Sequence, residues 1–187
     1  MSMSNITLNI NTLSSQALIV KNFIDEYTVT QLNKWTLENY NNSFFKDANM
    51  GSPGTRLTTR YSQDFLFPDI AYIIKEKISN LLQLDYRVPS YKDGIVNGIG
   101  FIGGSIREHK DPIWYPDTFT LHCNIISQKP ISGGVTFING TSFETQPGDL
   151  LLYPVSELYH SVDTIQGNIP RILWVFGYSI DNESKIY

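Results

Sequence analysis

The chain has 187 residues, 41% hydrophobic and 13% aromatic, enough for one domain with a real core and incompatible with a disordered chain. Charged residues make up only 17% and the net charge is −4, so neither nucleic-acid binding nor docking on an acidic membrane is expected. One cysteine, Cys123, excludes an internal disulfide and a cysteine-rich zinc site.

No apolar run reaches the length of a membrane span. The first stretch, MSMSNITLNINTLSSQ, is polar and uncharged, without the basic start and apolar centre of a signal peptide. A cytoplasmic protein is the expectation; the sequence leaves the oligomeric state open.

In chain order, ALIVKNF (Ala17–Phe23) is short, apolar and rich in β-formers, and predicts a strand. DEYTVTQLNKWTLENY opens with acids and spaces Val29, Leu32, Trp35 and Leu37 as a helix would. DANMGSPGTR is a turn-rich loop, and TRLTTRYSQ reads as a strand. FPDIAYIIKEKISNLLQL predicts the strongest helix, with Ile70, Ile73, Ile74, Ile78, Leu81 and Leu82 on one face.

After Asp85 short alternating runs are separated by Gly, Pro, Asn and Asp, among them GIVNGIGFI, FTLHCNII, GDLLLYP and RILWVFGYS. Many short strands with frequent turns predict a sandwich or closed barrel. The expected class is α+β: one domain over 1–187, with helical support over about 17–85 packed on one face of a β core over about 86–180.

The stretch REHKDPIW carries the first chemical signal. Residues two apart on a strand point to the same side, so His109 and Asp111 face one way, where Pro112 stops the pairing. His160 begins another run, YHSVDTI. Two imidazoles and one carboxylate with open positions suit non-haem Fe(II). YHSVDTIQGNIPRILWVF reads as a hairpin turning near Gly167 and Asn168, which sets Arg171 opposite about Thr164. Thr164 shares the face of His160 four residues on, roughly 13 Å away. That span leaves room for a metal-bound five-carbon diacid whose far carboxylate the arginine reaches.

His109-x-Asp111, His160 and Arg171 resemble the HxD…H…R pattern of the Fe(II)/2-oxoglutarate dioxygenases, especially the prolyl-4-hydroxylase-like group. GFIGGSIREHKD is similar to the glycine-rich strand entering the family's HxD. SGGVTF (Ser132–Phe137) resembles its GG-x-T-F segment, and QPGDLLLYPVSELYHSV its P-x-x-G-D-L-L-x-F…H-x-V segment. The resemblance runs in order from roughly Gly94 to Ser179. It implies a double-stranded β-helix, or jelly roll, with the site inside one mouth. It assigns Fe(II) to His109, Asp111 and His160, and the 2-oxoglutarate C5 carboxylate to Arg171. Asn124 takes the place of a tyrosine that often shares that carboxylate; an amide donates the same bond. Phe101 replaces a tyrosine often found before HxD. The implied activity uses O2 to hydroxylate an unactivated C–H bond of a small amino-acid-like or peptidyl substrate, releasing succinate and CO2. Asp111 fills the position that a halide takes in related halogenases, so halogenation is disfavoured.

His122 shares parity with Asn124 and is either a core histidine bonded to a carbonyl or a contact to cosubstrate or substrate. Cys123 then faces the outer core. Trp114 and Tyr115 follow HxD on a loop and border a substrate pocket or simply pack there. Arg56, Arg60 and Tyr61 follow the Gly/Pro loop, where this family often places a substrate-covering segment; a solvated strand edge is the plain alternative. Arg107 has the parity of His109 and either meets an anionic substrate group or pairs with a surface acid. Two rival readings stay open: a cupin-like metalloenzyme that does not use 2-oxoglutarate, and a non-catalytic β-sandwich binding module.

Overall fold

Glycines and prolines cut the chain into short strands, and eleven strands and two helices are found among the residues that the computed structural model describes, 13–48, 52–59, 67–83, 94–113 and 115–181. The first part holds β1 (Leu18–Val20), α1 (Glu26–Asn39), β2 (Phe45–Asp47), β3 (Arg56–Thr59) and α2 (Asp69–Leu82). The rest is β4 (Ile95–Gly100), β5 (Ile106–His109), β6 (Thr118–Gln128), β7 (Thr136–Ile138), β8 (Thr141–Phe143), β9 (Leu150–Pro154), β10 (His160–Val162) and β11 (Arg171–Asp181). They form two antiparallel sheets: seven strands in the order β1-β9-β6-β11-β4-β3-β2, and four in the order β5-β10-β7-β8.

The large sheet sorts its side chains by alternation. Ile125, Leu152, Trp174 and Phe176 point to one face and are buried in the main core with Leu32 of α1 and Ile74 and Ile78 of α2. Each such side chain contributes about 1.5–3 kcal/mol by leaving water. Cys123 lies in this outer core, fully buried. Ile126, Leu173 and Val175 form a second cluster on the other face, and Leu151 and Tyr153 join Ile138 of the small sheet in a third. Both helices are tied to the large sheet: Asn33 Nδ2 donates to Ser127 O at 2.8 Å, and Tyr178 Oη to Lys75 O at 3.0 Å.

The helical stripes are narrower than their apolar residues suggest. In α2 the buried set is Ala71, Ile74, Ile78, Ser79 and Leu82, while Ile73 is 58% exposed. In α1 Val29, Leu32 and Thr36 are buried, and Leu37 is 44% exposed. Each helix touches the sheet along one line, which takes i, i+3, i+4 and i+7 and leaves the flanking positions in water. Strands β1 to β3 lie within 17–85, so this part supplies three members of the large sheet as well as the helices. No described helix is long and apolar enough to cross a membrane.

The expected hairpin across Gly167 does not form. β10 pairs with β5 and β7, whereas β11 pairs with β4 and β6 in the other sheet. The linking segment is held instead by Ile165 N to Gly104 O at 2.9 Å and Gln166 N to Ser132 O at 2.9 Å. These outside partners take the hydrogen bonds that a hairpin would have used. His160 and Arg171 therefore start strands on opposite walls of one interior.

Candidate metal centre

In the small sheet His160 pairs directly with His109. The two rings lie 4.3 Å apart between centroids. Asp111 follows β5, and its backbone N–H donates to Val155 O at 2.9 Å, which fixes the turn. Asp111 Oδ1 stands 3.1 Å from His109 Nε2 and 3.8 Å from His160 Nε2. One donor atom from each of the three residues falls within 4.8 Å of the others.

The opposite ring nitrogens are occupied. His109 Nδ1 lies 2.8 Å from Arg107 O, and His160 Nδ1 lies 3.3 Å from Leu158 O. A carbonyl only accepts, so each Nδ1 carries the proton and each Nε2 turns a lone pair inward. This is the donor set that Fe(II) takes, and the residues fit the ion. Burial pushes the Asp111 carboxyl up, but its contacts with His109, His122 and His160 outweigh that and hold it below the ordinary value. Burial lowers His160, with the charges of His109 and Arg56 adding to it and Asp111 opposing. His109 is raised, chiefly by its hydrogen bond to Asp111, and it offers the Nε2 lone pair once that proton has left.

Arg171 projects from the large sheet into the same interior and is buried. Its Nε donates to Gly134 O at 2.9 Å and Nη2 to Thr136 Oγ1 at 3.1 Å. Gly134 has φ +70°, and a Cβ there would sit 3.0 Å from Arg171 Cδ. The second glycine of SGGVTF thus gives the arginine stem its bed. Burial, with Arg56 next, pushes the guanidinium down to about 10, so it remains a cation at neutral pH.

No family model matches the chain, and no curated protein matches its sequence. Solved structures match it by shape. A Pseudomonas putida prolyl-4-hydroxylase superposes with TM-score 0.68 at 12% identity, over 92% of this chain and 96% of that one. The chain has the fold of the prolyl-4-hydroxylases. A Trichoplax adhaerens prolyl hydroxylase, solved with a hypoxia-inducible-factor peptide fragment, gives TM-score 0.68 at 14% identity over 94% and 89% of the two chains. The non-haem α-ketoglutarate-dependent epimerase SnoN from nogalamycin biosynthesis gives 0.68 at 10% identity over 92% and 81%.

Within this prolyl-4-hydroxylase-like frame the other candidate residues fall into place unequally. His122 and Asn124 do face the interior. His122 Nε2 lies 3.6 Å from Asp111 Oδ2, and burial pushes its pKa down to about 4, so it is neutral. Asn124 is level with Val175, four residues along β11 from Arg171, and its Nδ2 donates to Tyr153 Oη at 3.1 Å. No hydrogen bond joins Asn124 to Arg171 among the described residues. Arg56 is partly buried and lines a cavity with Arg171.

Arg107 does not share the interior. The pairing of β5 with β10 shifts register between His160 and Val162, which breaks the alternation. Ile106 lines the cavity, and Arg107 is exposed, offering only its carbonyl to His109. Tyr115 is 41% exposed, and its carbonyl accepts from Thr118 Oγ1. Trp114, Arg60 and Tyr61 lie outside the described residues.

Tyr153 was not legible in the sequence. Its ring meets the edge of His160 at 5.4 Å and of His122 at 6.4 Å, and its hydroxyl faces Asn124. It sits in the all-apolar run LLLYP, buried on both faces, where alternation carries no signal.

Proposed function

We propose that the protein is an Fe(II)- and 2-oxoglutarate-dependent oxygenase, a single domain whose two sheets form a jelly-roll core, and that it hydroxylates an amino-acid-like or peptidyl substrate. One observation carries the reading: a His109–Asp111–His160 donor set on one sheet faces the buried cation of Arg171 on the other. The prolyl-4-hydroxylase-like fold supports it.

Fe(II) with 2-oxoglutarate and O2, when bound, supplies an oxidant able to take hydrogen from an unactivated C–H bond, with succinate and CO2 as coproducts. The chain's own part is to hold and shield. His109, Asp111 and His160 hold the ion through two lone pairs and one carboxylate, and the backbone carbonyls of Arg107 and Leu158 fix the imidazole orientation. Arg171 anchors the far carboxylate with the N–H groups that Gly134 and Thr136 leave over. Neutral His122 and the Tyr153–Asn124 pair floor the interior without adding charge near the ion.

Succinate release from 2-oxoglutarate, measured across amino acids and peptides with and without Fe(II), tests this reading. Wild type is expected to release succinate only with Fe(II), and one panel member is expected to stimulate it. His160→Ala is expected to lose both metal binding and turnover while keeping its circular dichroism spectrum. Full turnover in that variant would sink the donor set.

A further inference from the structure

Arg56 of β3 and Arg171 of β11 are both paired to Gly100 of the intervening strand β4. Directly opposed residues project from the same face of a sheet, so the two arginines flank one position that has no side chain. Two strand spacings separate their Cα atoms by about 9–10 Å. A Cβ on Gly100 would meet Ile165 Cδ1 at 2.6 Å, so glycine at residue 100 lets the Ile165 side chain pack over β4 between the two arginine positions.

Both side chains line one cavity between the sheets, walled by Ile106, Val162, Ile165 and Leu173. Neither guanidinium has a carboxylate at ion-pair distance among the described residues. Asp163 acts on Arg171 only at longer range, and its Oδ1 accepts from Val135 N. Arg171 spends two of its five N–H donors on Gly134 and Thr136; the Arg56 guanidinium makes no hydrogen bond among the described residues. Burial is the first cause that lowers each arginine's pKa, and Arg56 further lowers that of Arg171. Two cations in one cavity with no carboxylate at ion-pair distance are costly unless an anion joins them.

We infer that Arg56 is a second carboxylate anchor, and that Arg56 and Arg171 clamp the two ends of one small dicarboxylate whose methylenes lie against the apolar walls. The inference deepens the proposed function and rests on its reading of Arg171. Arg56 is close enough to Asp111 to feel its charge and to His109 and His160 to lower their pKa, which Arg171 is not, so the clamp sets Arg56 at the carboxylate nearer the donor set and Arg171 at the far one.

Glutarate tests this without turnover and without metal, because it is a five-carbon diacid lacking the keto group. Its binding to the metal-free protein is read by titration calorimetry and by the rise in melting temperature. Arg56→Gln and Arg171→Gln are each expected to weaken glutarate roughly ten- to a hundredfold, the loss of a hydrogen bond to a charged group. Arg56→Lys is expected to restore part of the affinity by keeping the charge. Butyrate, with one carboxylate, is expected to bind weakly and to lose less than glutarate on Arg56→Gln. Wild-type affinity in Arg56→Gln, or no glutarate binding by wild type, overturns the clamp. A parallel Mn(II) titration keeps the two readings apart. Metal bound normally by wild type and Arg56→Gln, with glutarate unaffected, sinks the clamp and leaves the donor set standing. No metal bound by wild type sinks the donor set, while the glutarate result still decides the clamp.

Discussion

At the scale of single residues the interior is organised around charges that the fold cannot satisfy by itself. Arg171 is the strongest case, because its stem is clamped and part of its fork is left over. Removing one partner of a buried charge pair costs about 3–5 kcal/mol. Arg171→Ala is therefore expected to raise the 2-oxoglutarate requirement by orders of magnitude while Mn(II) binding stays near wild type. Titration of the iron–2-oxoglutarate charge-transfer band reads the first, and Mn(II) calorimetry reads the second. An unchanged midpoint would make the arginine structural and favour the cupin-like alternative. Gly134 supports the same side chain from below. Alanine at φ +70° is strained by about 1–3 kcal/mol, and its methyl would press on Arg171 Cδ and Pro130 Cγ. Gly134→Ala is expected to lower the urea midpoint and to weaken 2-oxoglutarate, though less than Arg171→Ala does.

At the scale of elements, Asp149 shows how a strand is fixed in place. It is 1% exposed at the start of β9. Its carboxylate accepts from Asn22 N at 2.9 Å, Gln146 N at 2.9 Å and Lys21 Nζ at 2.7 Å, so it pins the end of β1 to the large sheet. Burial pushes this carboxyl up, but those hydrogen bonds outweigh it and hold the pKa below 3.8. A depressed folded pKa means that the contribution is present above the unfolded value and is lost as pH falls through the folded one. Asp149→Asn is expected to cost about 1.5–3 kcal/mol at pH 7. The gap between wild type and variant should shrink below the ordinary carboxylate range. Urea midpoints at neutral and strongly acid pH check this; a gap that grows in acid would contradict it.

At the scale of the whole molecule the candidate site joins the two sheets. The candidate metal donors come from β5, β10 and the turn after β5, and the proposed carboxylate anchors from β3 and β11. A ligand set held at both ends, as proposed, would stabilise the sandwich as a unit. Mn(II) with 2-oxoglutarate at a hundred times the dissociation constant is expected to add about 2.7 kcal/mol. For a domain of this size that is a rise in melting temperature of roughly 5–10 °C. Calorimetry on wild type and on His160→Ala separates this from general salt stabilisation, since the variant should show little rise.

The sequence by itself determined the parts whose signal is local. HxD, the distant histidine and the arginine stood out because a chain with three histidines has few ways to build this donor set. The strand-rich second half followed from its turn residues, and His122, Cys123 and Asn124 were sorted to their two faces by alternation alone. Only the tertiary structure decided which strands meet. The hairpin across Gly167 gave way because Gly104 and Ser132, distant in sequence, hydrogen-bond the linking segment first. The register shift between β5 and β10 swapped Ile106 for Arg107, since one added residue reverses every later side chain. Arg56 met Arg171 because β3, 115 positions before β11 (171 minus 56), lies one strand from it in the sheet. Periodicity reports which way a residue faces along its own strand; which residue it faces across the interior is set by packing of the whole chain.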